Sequence, residues 1–335
     1  MVTNRHAETA RLAQDMPRKA ITVTQDETFT GGLCLITMDQ ESNFILLERL
    51  AQARDQTTWD ARMAPALAQR NCRVIQSTSD AARGLLASVE HSLEAHHSPD
   101  LFHVPHELVK AVSGPMAIKE WAARKAVTEA REQLERLQSA PQSVGDEPAK
   151  SRPDHAPKEP VSLEQAEQAL EAASREHERL TQQREHVAKS IRGIGHGYHF
   201  VDLDRGVRRN GQLIAADIHA HIEQVRVIAQ HEGLSQRCVE RIEKAERVVP
   251  KMQATIEFVS GYVRQQVDQR DLTPPASFAM HAKLIPSYYL DRVAQTRTVR
   301  DGEPLRELAE RLRASLFEPG GVLSGMEPRG SRPAP

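Results

Sequence analysis

The sequence predicts an α/β core in its first third followed by a long all-α segment. Three observations carry that expectation. Short β-branched and apolar runs recur between Ala20 and Val104, separated by turn residues. Beyond about residue 108 such runs cease, and apolar residues return at intervals of three and four. Aromatic residues make up only 4% of the 335 residues, which argues against a bulky all-β core.

Residues 1–19 are polar and basic-leaning, with a short helical stretch at Ala7–Gln14. Ala20–Gln25 (AITVTQ) is a β-branched run that stops at the acidic pair Asp26-Glu27. A Thr-Gly-Gly turn leads to a second strand, Leu33–Met38, and a polar turn at Asp39–Asn43 leads to a third, Phe44–Glu48, completing an antiparallel meander. Gln56–Gln69 places Trp59, Met63, Ala66 and Leu67 at helical spacing. Cys72–Gln76 reads as a fourth strand. Ala81–Glu94 reads as a second helix with Leu85, Leu86, Val89 and Leu93 on one face, and Leu101–Val104 as a fifth strand. The order β-β-β-α-β-α-β, a meander followed by helix-linked parallel strands, is the element order of the ribonuclease H-like α/β fold with a mixed sheet.

The remainder is helical. Val127, Ala130, Leu134 and Leu137 lie along Lys119–Gln138, and an apolar seam runs from Leu163 to Ile191 along Ser162–Arg192, interrupted by His177 and Arg184. Together these predict an antiparallel, coiled-coil-like hairpin. The five prolines of residues 141–160 make a linker between its arms. Leu213–Gln269 continues as helix, broken near Gly233 and Pro250, and 305–317 forms a last helix. The expected domains are therefore a polar segment at 1–19, a core at 20–110, a helical segment at 111–317 and a Gly/Pro-rich, disordered tail at 318–335.

The 44 Lys+Arg nearly balance the 46 Asp+Glu, so contact with nucleic acid requires a local basic patch. The three cysteines, Cys34, Cys72 and Cys238, form no CxxC pair, which predicts neither a disulfide framework nor a cysteine zinc site and fits a reducing compartment. No segment approaches the roughly 20 apolar residues of a membrane span. A cytoplasmic protein with no membrane partner is expected.

Asp26 and Asp80 stand at the C-terminal ends of two strands that are neighbours in the expected sheet. Two carboxylates about 4 Å apart repel by roughly 4 kcal/mol at an effective dielectric near 20, so such a pair calls for a cation. Mg²⁺, a hard ion that prefers oxygen ligands, fits it. A pair of such ions about 3.5–4 Å apart serves phosphodiester chemistry. An aspartate at a strand end is equally an ordinary turn or helix-capping residue, and on spacing alone both readings stand. His96, His97, His103 and His106 cluster near Asp100 at spacings that match no standard zinc site. Lys189, Arg192, Arg205, Arg208 and Arg209 form a modest basic cluster that could contact DNA phosphates or simply line a solvated loop.

Three pieces of sequence resemble DDE-class insertion-sequence transposases. They are Asp26-Glu27-Thr28-Phe29 after a strand, Ser79-Asp80-Ala81-Ala82-Arg83-Gly84-Leu85, and Asp100-Leu101-Phe102-His103, which is similar to the Asp/Cys-x-x-His signature of Mutator-like transposases. The likeness covers roughly residues 20–110 and is closest to a transposase-like group of uncharacterised function. It implies Asp26 and Asp80 as catalytic ligands of a two-Mg²⁺ site, Asp100 and His103 as supporting residues, DNA as partner, a helical insertion after the second aspartate, possible homo-oligomers, and a bacterial protein associated with the nucleoid when bound to DNA. It also implies a third acid in a Glu-Gly-x-Asn-like context. Nothing after residue 270 has that form, Glu232-Gly233 reads as an interhelical break, and nothing singles out Glu303, Glu307 or Glu310. The chain is thus expected to be truncated before its third ligand, with cleavage incomplete or lost. A non-catalytic DNA-binding or oligomerising remnant of a transposase is the alternative.

Overall fold

The computed structural model describes residues 11, 17–29, 31–139, 161–318 and 321–322. All but Arg11 of the helical stretch expected at Ala7–Gln14, the whole linker at 141–160 and most of the tail lie outside these. The described residues form two compact units. One comprises those through Pro105 together with Ile194–Ala220 and Ala245 onward, and the other comprises His106–Gly193 and His221–Lys244. The helical segment expected as one domain at 111–317 is therefore divided, and two of its stretches belong with the sheet.

The first unit is built on a five-stranded mixed sheet: β1 (Lys19–Thr28), β2 (Leu33–Asp39), β3 (Ile45–Ala51), β4 (Cys72–Ser79) and β5 (His96–Pro99). The spatial order is β3-β2-β1-β4-β5. β1–β2 and β2–β3 pair antiparallel, while β1–β4 and β4–β5 pair parallel. Strand alternation sends Ile21, Val23, Leu35, Leu47 and Val74 to one face. There they meet Trp59, Met63 and Leu67 of α1 (Gln56–Ala68) and Leu85 of α2 (Arg83–Ala87). Asp55 caps α1 by accepting the Thr58 N–H at 2.8 Å. Gly84 lets α2 approach closely, since a Cβ there would stand 2.2 Å from the Arg54 carbonyl oxygen.

Several expected boundaries move. β1 runs on through Asp26 and Glu27 because β2 pairs with it as far as Thr28. Asp26 is therefore inside the strand and not beyond it. The helix expected at Ala81–Glu94 is a single turn, α2, followed by a π-helical turn at Ser88–Ser92. The fifth strand is His96–Pro99; Leu101–Val104 instead forms a turn and the start of α3 (His103–Leu108). β5 is polar in sequence because its side chains are answered by hydrogen bonds. Ser98 Oγ accepts from Gln76 Nε2 at 2.6 Å and from Thr255 Oγ1 at 3.2 Å.

The second unit contains α4 (Gly114–Ser139) and most of α5 (Leu163–Gly197). Ala166, Leu180, Val187 and Ile191 of the expected seam are buried, and the interruptions at His177 and Arg184 are both met by Glu120 of α4. α5 runs past the expected end at Arg192, through Gly193 and Gly195, and stops at Gly197. α6 (Gly211–His231), α7 (Gln236–Glu246) and α8 (Val249–Asp268) follow, with breaks at Gly233, whose φ is +60°, and before Pro250. α9 (Pro274–Ala279), α10 (Ile285–Gln295) and α11 (Val299–Ala314) complete the chain's described helices. The first two were not expected from sequence. No helix among the described residues is long and apolar enough to cross a membrane.

Candidate metal site at the sheet edge

The site is best built outward from Gln40. Its Nε2 donates to Thr24 Oγ1 at 2.9 Å and to Thr78 Oγ1 at 3.2 Å, so the two threonines stand side by side on one face of the sheet. Thr24 and Thr78 are also the last registered pair of the β1–β4 ladder. Two residues further along each chain are Asp26, which strand alternation keeps on that same face, and Asp80, which follows the end of the neighbouring strand, where adjacent backbones run about 5 Å apart. Asp80 lies one residue past β4, and Asp26 pairs with Ile36 of β2. Both are exposed.

Each carboxylate is held by one oxygen. Asp26 Oδ1 accepts the Glu27 N–H at 2.8 Å, and Asp80 Oδ1 accepts the Ala82 N–H at 2.9 Å. Among the described residues neither aspartate makes an ion pair. Two hard oxygen donors of like charge on adjacent strands are chemically suited to a divalent cation such as Mg²⁺. They are two ligands, and no group of three His, Cys, Asp or Glu side chains placed to hold a metal occurs among the described residues.

Asp100 stands just beyond β5, next to this pair in strand order, and its N–H donates to the Ser79 carbonyl at 3.0 Å. Asp100 Oδ1 accepts the Phe102 N–H at 2.9 Å, and Oδ2 lies 3.8 Å from His103 Nε2. The supporting pair is thus local to one turn. Glu303, Glu307 and Glu310 all sit on α11 with exposed side chains. Glu232 is buried and bound by Arg179, Lys119 and His231, which hold its carboxyl well down, at about 2, with Arg179 the leading cause. It is a structural ion pair at an interhelical break.

Beneath the aspartates, on the opposite face, lies a buried polar row that the sequence reading missed. Ser77 Oγ donates to Gln25 Oε1 at 2.6 Å, and Ser79 Oγ shares a hydrogen bond with His97 Nε2 at 2.9 Å. Burial, reinforced by Lys251, pushes the His97 imidazole towards its neutral form. Ser79 Oγ also accepts the Ala81 N–H at 3.3 Å, and Ala81 takes a positive φ of 63°. The sequence signal was there: TQ, QSTS and HHSP carry polar residues in both phases of the strand, where a half-buried strand would alternate.

The five basic candidates divide between the two units. Lys189 and Arg192 lie exposed on α5 in the second unit, and Arg205 is exposed in the first. Arg208 lies over Phe200 at 4.8 Å and meets His281 Nδ1 at 2.7 Å. Arg209, 14% exposed, donates to the Gly197 carbonyl at 2.8 Å and pairs with Asp217. Internal partners take up these last two guanidinium groups, and their spacing in sequence conceals that. Of the histidine cluster, His96 stacks on Phe258 with ring centroids 4.5 Å apart and shares a hydrogen bond with Thr255, so it too is structural.

Compared with known proteins, the chain matches no family model, no curated protein and no solved structure.

Proposed function

We propose that this chain is a transposase-like protein whose sheet is a ribonuclease H-like core, with Asp26 and Asp80 as paired metal-binding carboxylates for work on DNA phosphodiester bonds. The observation that carries this reading is the strand pattern with the acids on it. An antiparallel β1–β2–β3 meander is joined through β1 to parallel β4 and β5, and each aspartate follows the last registered pair of adjacent β1 and β4, Thr24 and Thr78, by two residues. The sequence likeness of residues 20–110 to DDE-class transposases assigns roles to the same two aspartates.

In this reading Mg²⁺, when bound, supplies Lewis-acid activation of the phosphodiester oxygens. Asp26 and Asp80 would hold the ion, and the hydrogen bonds they accept from the Glu27 and Ala82 amides fix the carboxylate directions. Asp100 and His103 brace the turn beside them. Lys189, Arg192 and Arg205 remain candidates for phosphate contact, in a bacterial chain bound to the nucleoid.

The test is nicking of supercoiled plasmid by the purified chain with and without Mg²⁺. Metal-dependent nicking should fall at least about 100-fold in Asp26→Asn and in Asp80→Asn, with DNA binding retained. Nicking that survives both substitutions would overturn the assignment.

A second reading is favoured by one observation, the lack of any three-ligand group among the described residues. It makes the chain a non-catalytic DNA-binding or oligomerising protein, with α4 and α5 mediating self-association. Salt-sensitive DNA binding that ignores Mg²⁺, without nicking, supports this second reading over the first.

A further inference from the structure

We propose that the open edge of β3 and the arginine-lined groove beside it form a docking site for an extended acidic peptide, which joins the sheet as a sixth strand. This is independent of the role given to Asp26 and Asp80. β3 ends the sheet, and no described strand pairs with its outer side. Ile45 is 50% and Leu50 67% exposed along it. An edge strand of seven residues with exposed apolar side chains is a template for strand addition, which proteins ordinarily blunt or cover.

Between β3 and α1 runs a groove of about 560 Å³, lined in part by Leu47, Arg49, Arg62, Pro65 and Arg70. Glu48 is the one carboxylate of the lining, against three arginines. Arg49 and Arg62 form no ion pair with any described residue. Arg70 donates Nη1 to the Ala66 carbonyl at 3.0 Å and lies over Phe44 at 5.2 Å, yet its Nε is buried with no acceptor. A carboxylate entering the groove would meet Arg49 and Arg62, whose exposed guanidinium groups are the ones free to receive it.

Geometry selects the class of partner. A free strand edge offers both N–H and C=O groups, so its partner must donate and accept along its length, as a peptide backbone does. A nucleic-acid backbone offers acceptors to the arginines but no row of donors for the β3 carbonyls. In an added strand every second side chain falls on the face of Leu47 and Arg49, over α1, where the arginines favour Glu or Asp. A second copy of β3 would bring its own Arg49 to that face, setting like charges together.

The test uses the full chain and a dye-labelled (Val-Glu)4 peptide followed by fluorescence anisotropy. Saturable binding is expected, at least about tenfold tighter than for (Val-Lys)4, and weakened about tenfold by Arg62→Glu or Arg49→Glu. Both positions are exposed, and circular dichroism checks that each variant keeps its fold. N-methylation of the peptide's interior amides should cost at least about tenfold, because it removes the donors of strand addition without changing charge. The proposal is overturned if (Val-Glu)4 does not bind, or if the N-methylated peptide binds as tightly. It is equally overturned if a single-stranded oligonucleotide of equal charge binds better through Arg62, or if sedimentation reveals a dimer that Arg62→Glu dissolves.

Discussion

Ala81 holds a left-handed backbone directly after Asp80, a conformation that costs a residue with a Cβ on the order of 1 kcal/mol. It persists because Ser79 Oγ takes its N–H and His97 holds Ser79 in turn. Ala81→Gly should therefore stabilise the chain by up to about 1 kcal/mol, read as a higher urea midpoint with unchanged slope. No change or a loss would mean that the turn is not strained. Gly84 sits at the opposite limit. A Cβ there would meet backbone atoms of Arg54 and Asp55 at 2.2–2.9 Å, and neither can move as a side-chain tip could. Gly84→Ala is expected to cost about 2 kcal/mol or more, lowering the melting temperature by several degrees. In the sequence this glycine was part of the likeness around Asp80, and only the packing of α2 on the loop before α1 gives its physical reason.

At the scale of elements, the meander and α1 were legible because burial there follows one periodicity. Trp59, Met63, Ala66 and Leu67 are all buried as their spacing predicts. β5 was not legible, since its four residues, His96–Pro99, carry no apolar alternation. Its stability comes from α8, which supplies Thr255 to His96 and Ser98 and Phe258 to the His96 ring. These partners lie about 160 residues away in sequence, so no local pattern could announce them. Thr255→Val keeps the shape and removes the hydroxyl, taking from Ser98 one of its two side-chain partners and from His96 its hydrogen bond. It should cost about 1–3 kcal/mol, seen as faster amide exchange in residues 96–99 than in β1. Equal protection in both strands would show that α8 does not hold β5.

For the whole molecule, the two units should respond to acid in different ranges. His96, His97, His199 and His281 of the first unit are all shifted towards neutrality, chiefly by burial, His199 to about 4. A histidine whose folded pKa lies below its unfolded value binds fewer protons when folded. Its contribution is intact above about pH 6.5 and is lost as the pH falls towards 4, by on the order of 2–3 kcal/mol for His199. In the second unit Glu232 is depressed to about 2, so its contribution persists above about pH 4.5 and is lost only as the pH falls from there towards 2. The chain's two tryptophans divide between the units: Trp59 is fully buried in the first, and Trp121 is exposed in the second. In a Trp121→Phe variant, Trp59 emission should shift to the red between pH 6.5 and 4. Circular dichroism of the whole chain should keep a further helical loss for pH below 4.5. One coincident transition would contradict this order.

The sequence by itself determined the α/β core with its helical extension, the strands with apolar alternation, most of the first helix's buried face, and the two aspartates as the pair worth testing. Those are consequences of local periodicity and of residue chemistry at strand ends, which adjacent residues encode. The tertiary structure decided what depends on distant partners. It placed Asp26 within β1 and, through the parallel ladder, set β1 beside the strand that leads to Asp80. It folded two helical stretches back onto the sheet unit and gave Arg208 and Arg209 internal contacts in place of an open surface. It also left Arg49 and Arg62 beside β3 with no ion pair to a described residue. Burial, register and charge pairing join residues from a few to more than a hundred positions apart, and only the folded chain decides which of them come within reach of one another.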